Sequence, residues 1–312
     1  MNIKNMIFLL YFIPGILFAG PGGNIGTYDR RTYSNLSDPD YNSIVQIKLQ
    51  NGTKSICTGG FISKNFFITN LHCAKICEKS GCKITFYDGT KWHKNVQITR
   101  KFYGHDEYET VDGRDWAIFR SSVPNPKYKQ IAPNSTIGSV KRGGFGTLRI
   151  IKDDEIPTLK MLLATTRMLR NTECKSKPKN YTKCIMDYFN TALKANNIPV
   201  LTGDTNRFKI QTCNIKSFFS NKKMLQTDCD SSGGDSGAPL IRGNKIVGLN
   251  NSGPQNIFNK NDNIGAAALN TNNFYTWATN YINKNKNLTT KSISTDSDEA
   301  ELLEIINYMS NQ

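Results

Sequence analysis

Short apolar runs of five to eight residues recur along most of the chain, at residues 43–49, 56–63, 66–70, 83–87, 115–120, 147–152, 208–215, 238–242, 245–249 and 264–269. Each is bounded by Gly, Pro, Asn, Asp or Ser, the residues that turn a backbone. Runs this short cannot bury an apolar face alone and must pair with one another. Many short strands at such spacing predict an all-β sandwich or barrel.

The period changes once in the middle. Between about residues 157 and 197, Leu159, Leu162, Leu163 and Met168, and then Cys184, Ile185, Tyr188, Phe189 and Leu193, recur at helical spacing and predict a two-helix insertion. A further helix is expected over residues 270–285, where Phe274, Trp277, Ala278 and Tyr281 fall on one face. Residues 286–312 differ in composition: a polar Asn/Lys/Ser/Thr linker leads into a short acidic segment with the spacing of a helix, expected to dock back on the basic domain.

At the start, residues 6–18 form an apolar run preceded by Lys4. Its 13 residues fall short of the ~20 that a membrane-spanning helix needs, and Pro14 and Gly15 interrupt it. The pattern is that of an export signal, residues 1–19, cleaved after Ala19, with an uncleaved anchor as the competing reading. A secreted or periplasmic chain without stable membrane insertion is expected.

Export places the remainder in an oxidising compartment, where eight cysteines read most simply as disulfides. Local spacing suggests Cys57 with Cys73, Cys77 with Cys82, Cys174 with Cys184 and Cys213 with Cys229. A zinc site from Cys73, Cys77 and Cys82 competes with this, against a poor match to paired C-x-x-C spacing. Forty Lys and Arg against 25 Asp and Glu leave a formal net charge of +15. The basic residues are scattered and no basic run interleaves with aromatics, so a solvated basic surface is expected and nucleic-acid binding is not.

Three stretches carry chemistry. Asp230-Ser231-Ser232-Gly233-Gly234-Asp235-Ser236-Gly237-Ala238-Pro239 sets a serine in a Gly-rich turn, where the amides of Gly234 and Ser236 can converge on a developing oxyanion. Thr69-Asn70-Leu71-His72-Cys73 offers a base at a strand end beside a cysteine. Asp115, opening the apolar run Asp115-Trp116-Ala117-Ile118, offers the carboxylate that orients the imidazole, with Asp112 as its rival. His93 and His105 lack such a setting and are expected to be ordinary surface residues.

The order His72, Asp115, Ser236, with those surroundings, resembles the chymotrypsin-like (trypsin-like) serine proteases over roughly residues 25–285. Within them the start Asn24-Ile25-Gly26-Thr27-Tyr28-Asp29-Arg30 and the Asp228-Cys229-Asp230-Ser231-Ser232-Gly233-Gly234 loop are similar to the bacterial glutamyl endopeptidases. The resemblance implies two six-stranded antiparallel β-barrels with a C-terminal helix, in a protease domain over residues 20–285. It implies a secreted endopeptidase that needs no metal or cofactor and acts as a monomer on protein or peptide substrates. His72, Asp115 and Ser236 would be catalytic, and Gly234 and Ser236 would form the oxyanion hole. Asp230, Ser231, Asn250, Asn251, Ser252 and Gly253 would line the substrate pocket.

Asp230 stands where trypsin-like enzymes select Lys or Arg. The glutamyl branch reads acidic residues with a histidine at the place of Asn250, so the balance leans to basic substrates. Asp235 stands where the trypsin branch pairs an aspartate with a newly made N-terminus, which raises activation by cleavage, although residues 20–23 leave almost no propeptide. A catalytically silent homologue serving as an exported binding module is the alternative from another functional class.

Overall fold

A computed structural model describes residues 31–53, 55–102, 115–146, 156–176, 181–196, 207–219, 224–252 and 267–270. The first half contains strands β1 (Thr32–Tyr33), β2 (Ile44–Leu49), β3 (Ser55–Phe61) and β4 (Phe66–Thr69), then helix α1 (Leu71–Ser80). Strands β5 (Cys82–Tyr87), β6 (Trp92–Phe102) and β7 (Ala117–Ser121) follow. The second half has β8 (Gln130–Ile131), β9 (Gly138–Gly144), helices α2 (Ile156–Lys175) and α3 (Tyr181–Ala195), and β10 (Lys209–Phe219). It ends with β11 (Met224–Thr227), β12 (Pro239–Arg242), β13 (Lys245–Ser252) and β14 (Ala267–Asn270).

Strands β2-β3-β4-β7-β6-β5 close into a six-stranded antiparallel barrel. Its interior is filled by alternate residues of neighbouring strands: Val45, Ile47, Phe61, Phe67, Ile84, Phe86, Ala117 and Phe119. Phe61 meets Phe86 edge-on at 4.8 Å, the arrangement that opposed ring quadrupoles favour. Full burial of each such ring contributes roughly 1.5–3 kcal/mol, so this cluster is the main apolar reason the barrel closes.

The second half forms an eight-stranded sheet in the order β1-β10-β11-β14-β13-β12-β9, with β8 paired to β13. Strand β10 also pairs with β9, so the sheet curls back on itself around Val140, Ile215, Leu225, Leu240 and Val247. The architecture is the expected chymotrypsin-like one, with the second unit widened by the two-residue strands β1 and β8. Leu36, Tyr41, Ile44, Phe145, Phe208 and Ile241 form a third cluster, built from both halves of the chain.

All four suggested cysteine pairs are disulfides. Cys73, Cys77 and Cys82 therefore have no thiolate left for zinc. The insertion is a pair of helices packed on each other through Leu159, Leu163, Ile185, Phe189 and Leu193 and tied by Cys174–Cys184. Met168, expected in that core, is instead 55% exposed. The leader at 1–19, the run at 147–152 and the acidic tail lie outside the described residues, as does the helix expected over 270–285 except for Asn270, which ends strand β14 instead.

Cys57–Cys73 joins β3 to α1 and closes a loop of 16 residues. Replacing both cysteines with Ala is expected to lower the unfolding free energy by about 3 kcal/mol, since a cross-link of that span restricts the unfolded chain by that amount. A urea midpoint that does not move would contradict this.

Candidate active site

Strand β4 ends at Thr69, and Asn70 then takes the extended conformation of an N-cap. Asn70 makes no side-chain cap bond to the helix; its Nδ2 donates instead to the Asp115 carbonyl at 2.9 Å. The first turn of a helix leaves amides without partners. One of them, His72 N, donates to Asp115 Oδ1 at 2.8 Å, while His72 Nδ1 lies 2.8 Å from Asp115 Oδ2. His72 thus sits in the first turn of α1, just past the strand end where the sequence suggested it.

Both oxygens of Asp115 bind the same residue, so His72 is fixed in position by its backbone and in orientation by its ring. A carboxylate facing Nδ1 requires the proton there, which leaves Nε2 with a lone pair. Asp115 is fully buried, and these donors offset the loss of its hydration.

The serine stretch folds as two successive turns. Asp235 N donates to Ser232 O at 3.0 Å and Ala238 N to Asp235 O at 2.9 Å. Their third residues, Gly234 and Gly237, have φ of +94° and +79°, as a type II turn requires at that place. A side chain at Gly237 would also overlap the Thr58 carbonyl and the Thr69 hydroxyl.

Thr58 on β3 anchors these turns to the first barrel. Its hydroxyl donates to Gly234 O at 2.8 Å, and its amide donates to Ser236 O at 2.8 Å. Thr69 Oγ1 in turn donates to Thr58 O at 2.6 Å. The Cys73 sulfur, next to His72, lies 3.9 Å from Ser236 O. The amides of Asp235, Gly237 and Ala238 are all bonded internally. Among the described residues none accepts from the amides of Gly234 or Ser236. Unpaired amides are rare away from water, and two flanking a half-buried serine make a ready anion cradle.

Between them lies Asp235, fully buried. Its Oδ2 is 3.2 Å from Arg31 Nη1 and 2.9 Å from Arg142 Nη2, and accepts from Ser232 N at 2.9 Å. Arg31 Nη1 also donates to Ser232 Oγ at 2.8 Å. Burial pushes the Asp235 carboxyl upward, but the charges of Arg142 and Arg31, with hydrogen bonds from Arg142 and the Ser232 amide, outweigh it and hold the group below the usual carboxylate range. Among the described residues its charged partners are the side chains of Arg31 and Arg142; the newly made N-terminus that the resemblance had raised would lie in residues 1–30, outside the described residues.

Asp230 is buried, its amide donating to Gln211 Oε1 at 3.2 Å and its carbonyl accepting from Gln211 Nε2 at 2.8 Å and from Arg142 Nη1. Asn250 Nδ2 donates to Ser231 Oγ at 3.1 Å and to the Asp235 carbonyl at 3.2 Å. A carbonyl can only accept, so the amide nitrogen must face it, and Asn250 Oδ1 is left buried with no donor among the described residues. Asn251 is buried beside it. Ser252 ends β13, and Gly253 lies outside the described residues.

His72 and Asp115 are thus paired, Thr58 and Cys73 hold the Gly234–Ser236 turn from the same side of the fold, and Asn250 binds Ser231 and the Asp235 carbonyl. Asp112 and His105 lie outside the described residues. His93 is engaged elsewhere, 2.6 Å from Asp88 Oδ2 and stacked on Phe86 within the β5–β6 hairpin. Cys57, His72 and Cys73 place potential metal-ligand atoms within 4.8 Å of one another, but the two sulfurs are bonded to each other. Sequence reasoning missed Thr58, Arg31 and Arg142. The Thr58-Gly59-Gly60 stretch after Cys57 was the one available signal.

A family model described as trypsin matches residues 34–278. The solved structure of neuropsin, a serine protease expressed in the limbic system of mouse brain, shares this fold. It covers 81% of this chain and 98% of its own, with a TM-score of 0.51 at 13% sequence identity. No curated protein matches the chain.

The depressed Asp235 carboxyl has a stability consequence. Its contribution is fully present above the ordinary carboxylate value of about 3.9 and is lost as pH falls from there towards the lower folded value. Resistance to urea unfolding is therefore expected to fall below about pH 4, with a shallower acid slope in Asp235→Asn. Equal slopes in the two proteins would contradict the assignment.

Proposed function

The chain belongs to the trypsin family of serine proteases, and on that premise we propose that it is a secreted serine endopeptidase working through Ser236, His72 and Asp115. What supports the reading is a pair of elements linked through Thr58 and Cys73: a histidine bound through backbone and ring to one buried carboxylate, and a serine turn with two unclaimed amides. Four disulfides fit an extracellular protein. Residues 1–19 act as the leader, residues 20–285 as the protease domain, and residues 286–312 as an appended linker and tail.

Ser236 Oγ attacks the scissile carbonyl carbon as its proton passes to His72 Nε2. The resulting oxyanion is held by the amides of Gly234 and Ser236. Collapse breaks the C–N bond, and the amine leaves with the proton from His72. Water, deprotonated by the same nitrogen, then hydrolyses the acyl ester and restores the serine. Asp115 keeps Nδ1 protonated throughout and stabilises the imidazolium.

The pocket wall supports a basic residue before the scissile bond. Asn250 uses its donors on Ser231 and the Asp235 carbonyl, leaving its buried Oδ1 to receive one. A donor-bearing Lys or Arg side chain satisfies such a wall, whereas a carboxylate leaves it unmet. This favours trypsin-like selection over the acidic selection of the glutamyl endopeptidase branch.

Incubation with a diverse peptide mixture, read by mass spectrometry, is expected to yield cuts after Lys and Arg that vanish in Ser236→Ala. Cleavage that survives Ser236→Ala would overturn the mechanism, and cuts after Glu would overturn the specificity. Asp115→Asn is expected to lower kcat by about 10⁴-fold, because the amide favours the wrong tautomer. Asp230→Ser is expected to lower kcat/KM on basic substrates at least about 30-fold, the equivalent of about 2 kcal/mol. Steady-state assays on peptide esters check both.

A further inference from the structure

Asp235 stands between the two residues whose amides flank the cradle, and its own main chain belongs to both turns. Its amide closes the turn from Ser232, and its carbonyl accepts from Ala238 N and Asn250 Nδ2. Whatever fixes the Asp235 side chain therefore fixes Gly234 and Ser236.

The fixing groups come from far away in sequence. Arg31 is held beside β1, which pairs with β10 through Thr32 and Tyr33. From there it reaches both ends of the first turn, Ser232 Oγ and Asp235 Oδ2, across 201 and 204 residues. Arg142 comes from β9, and its other nitrogen binds the Asp230 carbonyl. Gly146 closes the cluster: a Cβ there would run into Ser232, Asp235 and Arg31. Lys209 Nζ donates to the Gly146 carbonyl at 2.7 Å. Two guanidinium groups already face Oδ2 of the single carboxylate, while Oδ1 is buried with no donor among the described residues.

Resting on the endopeptidase reading, we propose that Arg31 is a positioning residue for Ser236. Its guanidinium, together with that of Arg142, holds Asp235 and thereby the turn bearing Ser236 and the cradle amides, so the site forms without a free α-amino group. The strand that begins the described fold thus fastens the nucleophile turn, and the chain is competent without a cleavage that creates a new N-terminus.

Four forms of the chain from Gly20 test this: the parent, the parent with an uncleaved N-terminal extension verified by intact mass, Arg31→Ala and Arg31→Lys. Amide hydrogen exchange of residues 228–238 is read on a Ser236→Ala background, where it does not depend on activity. Extended and unextended chains are expected to protect this segment equally. Arg31→Ala is expected to exchange there about tenfold faster or more, with unchanged exchange in the first barrel, and Arg31→Lys to restore most of the protection. With Ser236 present, Arg31→Ala is expected to lower kcat on an ester substrate about 10²-fold while KM stays within about twofold.

Protection that appears only after a new N-terminus is made would overturn the proposal. So would unchanged exchange in Arg31→Ala. Should that variant not fold, the extended chain and Arg31→Lys decide the matter on their own: loss of protection in the extension, or exchange in Arg31→Lys no nearer the parent than that of an unanchored loop, overturns it. If instead no form turns over substrate while the exchange pattern holds, the endopeptidase reading fails and the anchoring of the turn stands.

Discussion

A carboxylate taken out of water needs donors or cations beside it, and the candidate site is organised around two that have them. Asp115 faces His72 with both oxygens. Asp235 gathers Arg31, Arg142 and the Ser232 amide on one. The first fixes His72, the proposed base, on the barrel side, and the second fixes the serine turn on the sheet side. Neither residue needs to touch a substrate to decide where the reacting atoms lie.

The most direct polar link between the two sides is a residue of β3. Thr58 binds the Gly234 carbonyl with its hydroxyl and the Ser236 carbonyl with its amide, while Thr69 holds the Thr58 carbonyl in turn. Pinning those two carbonyls orients the peptide planes on either side of Asp235, and the Cys57–Cys73 bridge ties the same strand to the helix that carries His72. The barrel core of Phe61, Phe67, Phe86 and Phe119 is the rigid support beneath. Apolar closure of the barrel therefore reaches the proposed reacting groups through a few hydrogen bonds.

Much of this was legible in sequence because the signals are local. The turn residues Gly234 and Gly237, the aspartate opening β7, the histidine beside Cys73 and all four cysteine pairs lie within motifs a few residues long or in neighbouring segments. The barrel strands follow from apolar runs between turn formers, and the two helices of the insertion from a change of period. Where the reading stopped, the cause was distance along the chain. Helix α1 begins at Leu71 partly because Asp115 takes up an amide of its first turn, which no feature near Leu71 reveals. Strand β9, Gly-Ser-Val-Lys-Arg-Gly-Gly, has little apolar pattern; its glycines are needed because Gly144 packs against Asp235. Arg31 and Arg142 looked like two more basic residues in a chain of net charge +15, and only the fold makes them counterions.

The central claim is that Ser236 is an activated nucleophile, and labelling of the folded protein by a fluorophosphonate tests it most directly, because the reaction needs the serine, its base and the anion cradle but no knowledge of the substrate. Peptide mapping of the labelled chain is expected to place one phosphonyl adduct on Ser236, with labelling abolished in His72→Ala. An unlabelled protein, or an adduct spread over other serines and indifferent to His72, would contradict the account.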